Sequence, residues 1–138
     1  MSRSGYIEDW GMSQEEQWAT IRWRGAVKSA IRGKRGQAFL KELLAALDAM
    51  DEKRLIANEL EANGQFCTLG VIGHARKLDM EAIDPECEEQ VSAAFNIAEA
   101  MAREIVYEND EGAFWYDETA EQRWQRMRNW VQSQIKAP

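Results

Sequence analysis

Histidine, cysteine and proline are nearly missing from this chain. A single histidine, His74, leaves no second imidazole for a His-based metal site or a two-histidine mechanism. The two cysteines, Cys67 and Cys87, are too few for a disulfide framework and do not form a Cys-x-x-Cys pair. Of the two prolines one is the last residue, so little in the sequence interrupts helices. No apolar run approaches the roughly 20 residues of a membrane span. The opening MSRSGYIEDWGM has no apolar stretch of signal-peptide kind. A reduced cytoplasmic setting with no membrane partner is the expectation. GxSxG, P-loop and HExxH motifs are absent as well. Glu-Asn-Asp-Glu-Gly at 108–112 lacks the alternating ligands of a calcium loop. No enzyme, no cofactor and no metal site is expected, and His74 reads as a surface or helix-end residue.

The residues that are plentiful, Ala, Leu, Glu, Gln, Arg and Met, are helix formers, and alternating β-branched runs do not occur. At 138 residues the chain is long enough for one core. The fold class expected is all-α, a compact bundle of five to seven helices. Residues 1–12, without periodicity, form a loose arm, and 13–138 form the helical domain.

Charge is placed unevenly. The net charge is −7, yet residues 22–41 hold seven Lys and Arg and no carboxylate. Residues 79–121 hold fourteen acidic residues against Arg103 alone, and 122–138 return to +4. One account is solvated faces that partly neutralise each other on folding. The other is a pole that serves as a docking surface.

Ser13 with Glu16 has capping-box spacing and opens a helix to about Arg32. At 100° per residue Ala19, Trp23, Ala26, Val27, Ala30 and Ile31 share a core-facing stripe. The opposite side carries Arg24, Lys28 and Arg32 at i, i+4 and i+8, with Trp18, Ile21 and Gly25 among them. Such a like-charge ladder destabilises an isolated helix, so something outside it compensates. Gly33-Lys34-Arg35-Gly36 reads as a loop with left-handed glycines, joining helices 14–32 and 37–50 into an antiparallel pair. Phe39, Leu40, Leu43, Leu44, Ala46, Leu47 and Met50 make the second helix's stripe. Asp51 is expected to cap a short helix through Leu55, Ile56 and Leu60 that Asn63-Gly64 closes.

Residues 65–78 fit either a helix or a brief extended piece at Val71-Ile72, with helix favoured. Asp84-Pro85 reads as a helix start that leads to inward Val91, Ala94 and Phe95. Asn96 marks a turn before a helix over 98–108 that buries Met101, Ala102, Ile105 and Val106. A loop at 108–112 and the aromatic cluster Phe114-Trp115-Tyr116 follow. Thr119 with Gln122 repeats the capping box. The last helix turns Trp124, Met127, Val131 and Ile135 inward, with Arg123 and Arg126 more exposed.

Three surfaces could bind. The basic face of Trp18, Arg24, Lys28, Arg32, Lys34 and Arg35 could hold phosphates with Trp18 stacked on a base, or an acidic protein surface. The acidic overall balance, pI near 4.8, favours the protein partner over nucleic acid. A helix-turn-helix-like corner near 86–108 is plausible as an element, but its second helix offers Glu99, Arg103 and Glu104 where DNA readers offer basic and amide groups. The acidic stretch 79–121 could imitate a phosphate backbone.

The runs IRWRGAVKSAIRGKRGQAFLKELLAALDAMDEKRLIANELE, EIVYENDEG and RWQRMRNWV resemble small phage- and prophage-encoded proteins of no known chemistry. The resemblance covers most of the chain and carries no functional residues with it. It implies the cytoplasm of a bacterial host and an accessory role, often inhibition or modulation of host machinery, including defence systems. The expectation is therefore a non-enzymatic protein that binds a host protein or complex through its basic face. Nucleic-acid binding through the same face and homo-oligomeric assembly through the tryptophans are the alternatives.

Overall fold

The computed structural model describes residues 13–113 and 117–136. It is an all-α bundle: α1 (Gln14–Arg32), α2 (Lys34–Asp48), α3 (Thr68–Ala75), α4 (Glu88–Phe95), α5 (Glu99–Glu111) and α6 (Ala120–Gln134). A 3-10 turn (Met80–Ala82) and a two-stranded hairpin, β1 (Glu61–Ala62) and β2 (Gln65–Phe66), complete it. The 1–12 arm and the aromatic cluster 114–116 lie outside the described residues.

Both capping boxes form. The Ser13 hydroxyl accepts from the Glu16 amide while Glu16 accepts from the Ser13 amide, and Thr119 and Gln122 do the same for α6. Each satisfies two of the N–H groups that a helix start leaves without partners. The α2 stripe is the centre of the core, with Leu40, Leu43 and Leu47 fully buried. It packs on α3 and α6, and α5 passes behind, touching α1, α3, α4 and α6.

Several expectations are corrected. Only Gly33, extended at φ −67° and ψ 163°, separates α1 from α2. Lys34 and Arg35 are therefore first-turn helix residues, not a loop, and no left-handed glycine is involved. The turn is sharp because Gly36 presses on the end of α1: a Cβ there would lie 2.0 Å from the Ala30 carbonyl oxygen. Within α1 only Val27 and Ile31 are buried; Ala19 and Ala26 are exposed, and Trp23 is half-buried beneath the Arg103 guanidinium, 4.3 Å from its ring.

Residues 51–60 are not a helix. Their backbone is held by distant groups: Leu55 N–H donates to Ala120 O, Ile56 N–H to Phe66 O, and Arg123 and Asn109 donate to the Leu55 and Ile56 carbonyls. Those bonds replace the i→i−4 ladder, and Leu55 and Leu60 still reach the core. Asn63-Gly64, taken as a helix end, is instead the two-residue turn of the hairpin, with φ 53° and 76°. Val71-Ile72 is helical, inside the wholly packed front of α3, where Gly70 lets the Leu60 carbonyl approach.

The helix expected at Asp84-Pro85 begins later, at Glu88, because the Asp84 carboxylate takes the Glu86 amide into a local turn. The loop expected at 108–112 is the end of α5. Its last carbonyls accept from arginine: Arg126 bonds Glu108 O at 2.6 Å and Arg123 bonds Asn109 O at 3.1 Å. Those two arginines are thus partly buried rather than on the outside. Asn96, left-handed at φ 56°, does make the corner between α4 and α5. The second helix of that corner is a core element, buried at Ala100, Met101, Ala102, Glu104, Ile105, Val106 and Asn109, which leaves no free face to enter a DNA groove.

Candidate docking surface

The basic residues split into two groups. Arg24, half-exposed, reaches across to α5: its guanidinium holds both oxygens of Glu104, at 3.0 and 2.6 Å, and lies 5.9 Å from the Tyr107 ring. Glu104 is itself buried, on α5, so this pair ties α1 to the core. The expected three-charge ladder is therefore a two-charge ladder plus a structural ion pair. Lys28, Arg32, Lys34 and Arg35 stay exposed, and among the described residues none of the four has a carboxylate in ion-pair range.

Two features keep this end electropositive. Gly33 gives α2 no side-chain cap, and the first turn holds Lys34 and Arg35 and no acidic residue. Cations at a helix N-terminus oppose the dipole, at a cost of roughly 0.3–1 kcal/mol each when exposed. By contrast α1 and α6 begin with carboxylates in their first turns.

Between the second half of α1 and the end of α6 lies an open groove of about 590 Å³. Arg24, Lys28 and Arg32 line one wall, Ser133, Gln134 and Lys136 the other, with Val27, Ile31, Trp130 and Ile135 as apolar lining. Among the described residues Glu104 is the only carboxylate in the lining, already held by Arg24. Gln37 fastens the walls together: its amide nitrogen donates to Ile31 O at 2.8 Å and Gln134 O at 3.0 Å, and its oxygen accepts from Lys136 N–H at 2.8 Å. Gln37 thus ties the end of α6 to the end of α1.

The sequence placed Trp18, Arg24, Lys28, Arg32, Lys34 and Arg35 on one face. Trp18 is on α1 and 54% exposed, Lys34 and Arg35 are around the corner on α2, and Arg24, Lys28 and Arg32 meet at the groove. Trp130 and Lys136 were missed; the +4 balance of 122–138 was the only sign that this end carries charge toward the basic face.

The acidic stretch is less of a surface than its composition suggests. Glu104 is clamped by Arg24, Glu118 is buried between Arg123 and Arg126, and Asp110 accepts from the Asn58 and Asn109 N–H groups. Burial, followed by the nearby Glu104 charge, pushes the Glu108 carboxyl above the ordinary glutamate range, despite Arg126 and Arg24. Burial likewise raises Glu88 on α4, with Arg103 opposing. His74 is exposed in the last turn of α3, its ring tilted 34° to that of Phe66 with centroids 4.7 Å apart, and Cys67 is buried with its Sγ accepting from Gly70 N–H. Among the described residues no helix is long and apolar enough to cross a membrane.

Comparisons of the chain with models of protein families, with curated proteins and with solved structures each find no match.

Proposed function

We propose that this chain is a non-enzymatic binding protein of the phage or prophage accessory kind, which modulates a host macromolecule by seating an acidic segment of it in the groove between α1 and α6. The observation that carries the reading is the set of exposed cations without carboxylate partners among the described residues, Lys28 and Arg32 at the groove and Lys34 and Arg35 beside it, in a protein of net charge −7. Seven other described arginines pair with acids, while Arg22, on the same helix, pairs with none that is described and adds to the local surplus. Charge would steer the partner in, and Trp130 and Ile135 supply apolar area for affinity.

The test is retention of a partner from bacterial lysate, repeated with that partner purified. Lys28→Glu, Arg32→Glu and Lys136→Glu together should abolish retention at moderate salt while circular dichroism stays unchanged. Equal retention by the triple variant rejects the groove. A second reading, nucleic-acid binding, draws on Trp18, exposed on the same helix as Lys28 and Arg32. A salt-dependent shift of plain DNA or RNA in a gel titration, lost in the same variant, would select it.

A further inference from the structure

Within the acidic stretch one segment keeps its charge on the surface. Between α3 and the first turn of α4 the chain passes through Asp79, Glu81, Asp84, Glu86 and Glu89, all exposed. Among the described residues none of the five has a cation in ion-pair range; of the acids at 79–89 only Glu88 does, with Arg103. The segment is nonetheless firmly built. Met80 is buried against Gly73, where a Cβ would lie 2.6 Å from its Sδ. Ile83 N–H donates to Met80 O at 3.2 Å, Asp84 N–H to the Gln90 side-chain oxygen at 3.0 Å, and Glu86 N–H to the Asp84 carboxylate at 3.0 Å. Apolar residues stand between the acids: Ala82 exposed, Ile83 and Pro85 half-buried.

The groove has the complementary chemistry. It sets Lys28, Arg32 and Lys136 around an apolar lining that includes Ile31, Trp130 and Ile135. Inside one molecule the two surfaces do not pair: no described ion pair joins Lys28, Arg32, Lys34 or Arg35 to residues 79–89, and Arg24 takes Glu104 instead. Folding therefore leaves a surplus of each sign on one chain, and a second copy brings each to its opposite. A loop on a groove is a contact of unlike surfaces, so every copy keeps one of each for the next. An ordered loop also loses little conformational freedom on docking, unlike a free acidic peptide. Copies of net charge −7 repel at long range. In physiological salt the Debye length is about 8 Å, so charges in contact outlast that repulsion.

We infer that the groove takes the 79–89 loop of a second copy of this chain, with Glu81 and Glu86 against Lys28 and Arg32. The inference rests on the reading of the groove as a seat for an acidic segment and names one such segment. A host segment competes with it for the same cations.

Sedimentation of the full chain in physiological salt is the test. The parent should associate reversibly as its concentration rises from micromolar to millimolar, and high salt should dissolve the assembly. Lys28→Glu with Arg32→Glu, and separately Glu81→Lys with Glu86→Lys, should each weaken association at least about tenfold. Glu81→Gln with Glu86→Gln, which introduces no repulsion, should act in the same direction. Mixing the two charge-reversed variants should restore association, because every groove then meets a loop of opposite sign. All four residues are exposed, and circular dichroism should show the variants folded. A mixture that stays apart overturns the inference. So does a parent that is monomeric throughout, and the groove then stands or falls on its retention of a host protein or nucleic acid. Association that both reversed variants keep and Trp18→Ala dissolves overturns it in favour of the exposed side of α1.

Discussion

The arginines of α6 and the cations of the α1–α2 corner carry the same charge and do opposite things. Arg126 holds the buried Glu118 carboxylate at 2.6 and 3.0 Å and two carbonyls of α5 as well. Arg123 reaches Glu118, Asn109 O and Leu55 O, and Arg128 takes both oxygens of Asp48. At the corner, Lys28, Arg32, Lys34 and Arg35 bind no described carboxylate, and two of them sit at an uncapped helix start. Cations in the first region replace missing helix-end partners and fix the loop 51–60 to the bundle. Those in the second add to self-repulsion and are available to a visitor.

The largest effect expected from this contrast is on stability. Arg126→Met would take the bidentate guanidinium from the buried Glu118 carboxylate and remove one of the Glu108 carbonyl's two described donors, costing about 3 kcal/mol in urea unfolding. Arg32→Met should stay within about 0.5 kcal/mol of the parent. Similar losses for the two would erase the distinction.

A pH experiment sharpens it. Hydrogen bonds from Arg76 hold the Glu42 carboxyl below its ordinary range, so its contribution is present above the unfolded-state value and is lost as pH falls through the lower folded value. Glu108 is raised, mainly by burial, so the folded protein takes up its proton first. Its penalty is full at neutral pH and is relieved as pH falls through the raised folded value. Glu108→Gln should therefore be more stable than the parent at neutral pH and Glu42→Gln less stable. Both differences should close in acid, as followed by thermal unfolding across pH.

The smallest effect is at the corner itself. Gly33 already has the extended backbone of an N-cap, and a Cβ there would meet nothing nearer than the Ser29 carbonyl oxygen at 3.4 Å. Gly33→Asp should supply the missing cap and raise stability by about 0.3 kcal/mol, read as a small rise in Tm. A loss of stability would mean that the α2 start is already satisfied.

Much of the fold was legible because its signals are local. Ser13 with Glu16 and Thr119 with Gln122 write helix starts within four residues, and the α2 and α5 stripes need only the helical period. Residues 51–60 were misread because local propensity competes there with hydrogen bonds from Asn109 and Arg123, far along the chain. Asn63-Gly64 ends helices and turns hairpins equally well, and only the paired backbones around it decide which.

Composition and periodicity by themselves determined an all-α bundle, its longest helices and the clustering of cations near residues 18–41. Which of those cations would be free was decided in three dimensions. Arg24 and Lys28 are one helical turn apart and alike in sequence context, but only Arg24 meets Glu104, eighty positions away in the chain. A carboxylate buried by packing needs a partner, and the bundle brings it the nearest guanidinium; the cations beyond its reach stay exposed to solvent.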